Sequence, residues 1–61
     1  MTDAEAIDIA EGMVEPQSEE EYYAAWQHLI DRGLAWSLQG WFGRTAHRLI
    51  LAGHCRPPDA A

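Results

Sequence analysis

Residues 18–33 read SEEEYYAAWQHLIDRG, and they carry a full set of signals for one amphipathic helix. Ser18 stands three residues ahead of Glu21. That is the capping-box spacing, in which a hydroxyl takes an orphan backbone N–H and a carboxylate reaches back to the cap's own N–H. Glu19, Glu20 and Glu21 put negative charge in the first turn, where the helix dipole favours it. Tyr22, Trp26, Leu29 and Ile30 then recur at i, i+4, i+7 and i+8, an apolar stripe along one side. Arg32 falls in the last turn, and Gly33 stands where a left-handed C-terminal cap belongs. A helix over about 19–32 is predicted.

Upstream, Ile7, Ala10 and Val14 share a helical spacing while Asp3, Glu5, Asp8 and Glu11 fall mostly elsewhere, which predicts a first helix over about 3–14. Ile9 lies off that stripe. Pro16 disfavours helix at Glu15, so Pro16-Gln17 reads as a connector. Downstream, Leu34, Trp36 and Leu38 alternate with Ala35 and Ser37, a pattern that fits either a brief extended stretch or one helical turn. Gly40 precedes a second periodic run, Phe42, Ala46, Leu49 and Ile50, closed by Gly53. This predicts a third helix over about 41–52, with Arg44, His47, Arg48 and Leu51 largely on its other faces.

Within that third segment Gly43 is out of place, because glycine inside a helix costs roughly 0.5–1 kcal/mol relative to alanine. A bare backbone at this point implies that something packs on it, the ring of Trp36 or of Trp26. Phe42 is expected to turn inward under Trp26, and Arg44 to point outward or back to a carboxylate. The closing HCRPPDAA, with Pro57-Pro58 and no apolar partner, reads as extended and mobile.

The fold expected is therefore all-α: one small domain of three short helices over residues 1–55, followed by a flexible C-terminal tail, 56–61. Its core should come from Ile7, Ala10, Val14, Tyr22, Trp26, Leu29, Ile30, Leu34, Leu38, Phe42, Ala46, Leu49 and Ile50. A chain of 61 residues buries only about 60% of the surface it exposes when unfolded, so its stability is thin. The lone Cys55 cannot form an internal disulfide, which leaves a well-packed core, a metal or an oligomer to close the gap.

Charge narrows the function classes. The net charge is −6, from ten acidic residues against four arginines and no lysine. Residues 1–21 hold eight carboxylates (Asp3, Glu5, Asp8, Glu11, Glu15, Glu19, Glu20, Glu21) and no basic side chain. Phosphate affinity comes from clustered lysine and arginine, so direct nucleic-acid binding is not expected. A basic protein surface is the complementary partner, such as one that normally holds DNA or RNA. The plainer reading is that the acids keep a small protein in solution. An acidic N-terminus and the lack of a long apolar run point away from export and from the membrane, and the single thiol fits a reducing compartment.

No constellation carries chemistry. His28, His47, His54 and Cys55 lack the spacing of a zinc site, so no metal is expected. Cys55 follows the last helix in a segment read as flexible, where a nucleophile cannot be held in register. No phosphate loop is present, no cofactor is expected, and the chain is read as not an enzyme. Tyr23 and Trp41 stand beside the apolar stripes rather than in them, and aromatics with arginine are enriched at interface hot spots. Core filling by the same aromatics is the structural alternative. Glu19, Glu20, Glu21, Tyr23, Trp36, Trp41 and Arg44 are the candidate partner-binding residues, the acids for attraction and the rest for pose.

The stretch WQHLIDRGLAWSLQGWFGRTAHRLILAGHC, from Trp26 to Cys55, contains the block LIDxGLAWxLQGxxGRxAxxLIxAG. Ahead of it, Ile7 to Met13 fit a motif like IxxAEGM. Together these resemble a family of very small bacteriophage proteins of unknown function. The resemblance implies no catalytic or binding residue. It implies a protein at work in the cytoplasm of the infected bacterial host, one that binds a host protein and inhibits or redirects it. An anti-defence inhibitor of a nucleic-acid-binding effector, similar to an anti-CRISPR protein, is the most concrete form. The alternative is a small phage regulator or accessory protein that dimerises and contacts DNA or a phage protein through Arg44 and Arg48, which stand one helical turn apart.

Overall fold

The structure is a computed structural model that describes residues 1–58, so the end of the expected tail, 59–61, lies outside the described residues. The order is α1 (Asp3–Glu11), α2 (Glu19–Asp31), a 3-10 turn (Leu34–Trp36) and α3 (Gly40–Leu51). There is no strand among the described residues. The class is all-α, as expected, and the ambiguous segment after Gly33 is helical rather than extended. Asp3 at the start of α1 meets His28 and Arg32 at the end of α2, so these two helices pack as an antiparallel hairpin. The 3-10 turn then packs on both α2 and α3.

The second helix follows its signals closely. The Ser18 hydroxyl accepts the Glu21 N–H at 3.1 Å, and Gly33 is left-handed with φ 73°. One detail differs: the Glu21 carboxylate takes the N–H of Gln17, at 3.3 Å, rather than that of Ser18. A complete capping box is on α1, where Thr2 and Glu5 exchange both bonds, Glu5 N–H to Thr2 Oγ1 at 3.1 Å and Thr2 N–H to Glu5 Oε1 at 2.9 Å. The T-x-x-E spacing at residues 2–5 is the signal for it in the sequence.

The first helix is shorter than its apolar spacing suggested. It ends at Glu11 because Gly12 adopts φ 81°, a left-handed conformation that glycine enters without a Cβ penalty. The Gly12 N–H then bonds Ile9 O and the Met13 N–H bonds Asp8 O, which closes the last turn. The stripe shifts with the boundary. Ala6 and Ile9 are the buried residues of α1, Ile7 and Ala10 are only partly buried, and Val14 lies beyond the helix end, 48% exposed.

Trp26, Leu29 and Ile30 are the largest fully buried side chains, with Ala25, Ala35, Phe42, Ala46, Ala6, Ile9 and Cys55 around them. Ala46 was expected in the core from its place in the periodic run of α3, whereas Ala6, Ala25 and Ala35 were not. All four are buried in one cluster with Trp26 and Leu29, and a core packed at crystal density needs small residues among large ones. Tyr22, Leu34, Leu38, Leu49 and Ile50 pack at the margin of the core.

The chain beyond α3 is also ordered further than expected. Gly53, at φ 84°, turns the backbone, and the N–H groups of Gly53 and His54 close on Ile50 O and Leu49 O. That fold-back brings residues 54–56 onto α2. His54 stacks on Tyr23 with ring centroids 4.4 Å apart and planes 3° from parallel. Cys55 is buried, and Arg56 exchanges two hydrogen bonds with the Gln27 amide, at 2.7 and 3.1 Å. The apolar partner missing from the sequence around Cys55 is supplied from across the fold by α2.

Candidate interaction surfaces

An antiparallel hairpin sends the C-terminal end of α1 and the N-terminal end of α2 to the same pole. Glu11, Glu15, Glu19 and Glu20 gather there, all exposed, around a connector that displays Met13 (77% exposed) and Val14. Asp8, Glu11, Glu15, Glu19 and Glu20 have no hydrogen-bond or ion-pair partner among the described residues, whereas Asp3, Glu5 and Glu21 are engaged. Four of these free carboxylates, Glu11, Glu15, Glu19 and Glu20, beside two exposed apolar side chains make an acidic, partly apolar pole.

The opposite end of the hairpin is internally neutralised. Asp3 accepts from His28 Nε2 at 2.7 Å and from two nitrogens of Arg32 at 3.2 Å each. The His28 bond, helped by Arg32 and only partly opposed by desolvation, holds the Asp3 carboxyl below the usual aspartate range. The Glu5 carboxyl is lowered as well, first by the Thr2 backbone N–H and then by the Thr2 hydroxyl.

The aromatic candidates divide. Trp41 stacks on Phe42 at 4.0 Å between centroids and meets Trp26 edge to face at 6.2 Å and 74°, so it covers the core rather than standing free. Phe42 is buried with its ring centroid 5.8 Å from that of Trp26, the inward turn expected of it. Trp26 Nε1 has no acceptor among the described residues. Tyr23 lies between Tyr22, edge-on at 5.4 Å, and the stacked His54. Trp36 is half exposed, and its other half lies on Gly43, where an ideal Cβ would stand 3.4 Å from Trp36 Cδ1 and 3.5 Å from Ala35 O. Of the two rings considered for Gly43, it is Trp36 that occupies the bare backbone.

Arg44 is exposed and lies back over the start of α3, with Nη1 3.2 Å from where a Cβ of Gly40 would be. His47 and Arg48 are exposed on the same helix, and Leu51 follows at 73% exposure. The seven candidate residues therefore do not form one patch. Glu19 and Glu20 belong to the acidic pole, Glu21 is a helix cap, Tyr23 holds the C-terminal segment, and Trp36, Trp41 and Arg44 cluster where the 3-10 turn meets α3. Met13, Val14 and Leu51 were not among the candidates. Met13 and Val14 become visible once Gly12 is read as the end of α1, because both then fall in the connector.

The Cys55 thiol donates toward Tyr23 O at 3.7 Å, and burial, with the nearby Asp31 charge, pushes its pKa up. It is a small buried residue rather than an activated nucleophile. Among the described residues there is no pocket, no group of three or more His, Cys, Asp or Glu placed to hold a metal ion, and no helix long and apolar enough to cross a membrane.

Helix hairpin, 3-10 turn and third helix thus define a small all-α protein with four exposed acids at the hairpin pole and two of its four arginines, Arg44 and Arg48, on α3. The chain belongs to the family described as "Domain of unknown function (DUF7417)", which matches residues 4–60. No curated protein and no solved structure matches it.

Proposed function

We propose that the chain is a small phage-encoded, non-enzymatic protein that binds a host protein through its acidic pole and inhibits or redirects it. The phage origin rests on the motif resemblance. The observation that carries the binding reading is that pole: Glu11, Glu15, Glu19 and Glu20 are exposed, without partners among the described residues, and surround Met13 and Val14. Unpaired carboxylates steer a positively charged partner, and the two apolar side chains supply contact area once it arrives. The most concrete target is a nucleic-acid-binding effector of host defence, whose basic channel has the required sign.

The test is capture from host lysate with a tagged chain, eluted in a salt gradient, beside the variant Glu15→Gln/Glu19→Gln/Glu20→Gln. Glu21 is left intact because its carboxylate caps Gln17 N–H. A basic partner that elutes early in salt and is lost at least tenfold in the variant supports the reading. Equal capture by both forms would remove the acidic pole from recognition. For a purified effector, the wild-type chain should lower its nucleic-acid occupancy and the variant should not.

A further inference from the structure

The outer face of α3 has no partner within the described chain. Phe42 and Ala46 take the inner face, which leaves Arg44, His47, Arg48 and Leu51 exposed on the other side. One exposed leucine is ordinary. Here it continues a row with two arginines that form no ion pair among the described residues, where both salt bridges run to Asp3 from His28 and Arg32.

The order of groups along this side of the molecule matters. Tyr23 is one helical turn after Glu19, on the same face of α2. His54, three residues after Leu51, stacks on Tyr23, which turns the C-terminal end of α3 toward the N-terminal half of α2, the half that carries Glu19 and Glu20. The N-terminal end of α3, with Arg44, lies instead by the 3-10 turn that follows the far end of α2, where Trp36 packs on Gly43. One side therefore runs from Glu19 through Leu51 and Arg48 to Arg44. Two such sides laid antiparallel put the carboxylates of each copy on the arginines of the other, with Leu51 near Leu51 at the centre.

We propose that the protein associates with a second copy of itself as a two-fold dimer, in which the outer face of α3 of each copy receives the acidic pole of the other. A two-fold interface has to be self-complementary, and a surface with acid at one end, base at the other and an apolar residue between meets that condition. Each copy carries a net charge of −6, which opposes approach at long range. At 0.15 M salt the screening length is about 8 Å, so contacting pairs act while the distant like charges are damped. A polyanion such as DNA could meet the arginines but has no cation to offer the acidic pole, so it matches only half of this side. The dimer is read on the purified chain alone, independent of any host target. In it the acidic pole is covered, so only the monomer offers that pole in full.

Sedimentation velocity at 0.15 M salt tests the dimer. For an interface confined to one short helix face, association is weak, and the mass should rise from 6.9 kDa toward twice that as concentration goes from ~10 μM to ~1 mM. Two charge-reversed variants, Arg44→Glu/Arg48→Glu and Glu19→Arg/Glu20→Arg, should each self-associate at least tenfold more weakly, with far-UV circular dichroism confirming that both remain helical. Mixed in equal amounts they should recover a heterodimer, because one contact is then native and the other is reversed on both sides. A monomer at every concentration, reversal without effect, or no recovery on mixing the folded variants would overturn the dimer. So would a mobility shift of DNA that is lost in Arg44→Glu/Arg48→Glu while the wild-type chain stays monomeric.

Discussion

Substitutions at Gly43 separate two reasons for a glycine inside a helix. Gly43 has an ordinary helical φ, so the backbone itself does not require it. Its nearest neighbours would stand 3.4 Å (Trp36 Cδ1) and 3.5 Å (Ala35 O) from an added Cβ, which is ordinary contact and not a clash. Gly43→Ala should therefore recover most of the helix propensity that glycine forgoes, roughly 0.5–1 kcal/mol. In a domain this small that raises Tm by about 2–8 °C. Gly43→Leu carries atoms beyond Cβ into the indole and the Ala35 carbonyl. Overpacking of this kind costs roughly 1–3 kcal/mol. Trp36 is already 50% exposed and can give way in part, which places the cost near the middle of that range, about 2 kcal/mol. After the propensity gain is subtracted, the net effect is still a loss, on the order of 1 kcal/mol. Thermal melts followed at 222 nm read both variants. A third, Gly43→Leu on a Trp36→Ala background, should show no such loss, because the clashing ring is gone. If Gly43→Ala destabilised as much as Gly43→Leu, or if removing Trp36 did not relieve the leucine, the contact between the 3-10 turn and α3 would not be what constrains this position.

Three further outcomes follow from the packing. Ile9→Ala should cost roughly 2–4 kcal/mol, enough to leave a chain of this size largely unfolded at 37 °C by circular dichroism, whereas Val14→Ala should change stability by less than about 0.5 kcal/mol. Asp3 and Glu5 have lowered carboxyl pKa values, so the stability they contribute is fully present above their unfolded values and is lost as pH falls through the lowered folded ones. Melts between pH 6 and pH 2 should show Tm falling in the acid limb, less steeply for Asp3→Asn, which has already lost its share. The Cys55 thiol should react with a disulfide reagent at pH 8 at least tenfold more slowly than a free thiol and at the free rate in guanidinium. Full reactivity in the native protein would mean that residues 54–56 are not docked on α2.

Much of the architecture was legible in the sequence because helix signals are local. Ser18, the acidic first turn and Gly33 mark α2 without reference to any other residue, and the period of Tyr22, Trp26, Leu29 and Ile30 needs only the geometry of one helix. The same holds for the inward turn of Phe42 and for the bare backbone at Gly43. The register of α1 was not legible, since Ile7, Ala10 and Val14 form as regular a stripe as Ala6 and Ile9. The surface of α2 selects between them once Gly12 has ended the helix.

For the candidate surfaces the division is sharper. Composition and order along the chain alone determined that the acids precede the arginines, that no cluster has metal-ligand spacing, and that Cys55 has no disulfide partner in the chain. Only the tertiary structure decided that four of those acids share one pole, that Glu21 and Asp3 are spent on caps and ion pairs, that Trp41 covers the core while Leu51 does not, and that His54, Cys55 and Arg56 return to α2. The reason is physical: charge, capping and period are properties of neighbours in sequence, whereas exposure and pairing depend on which residues the hairpin and the turn at Gly53 bring together from about 30 positions apart.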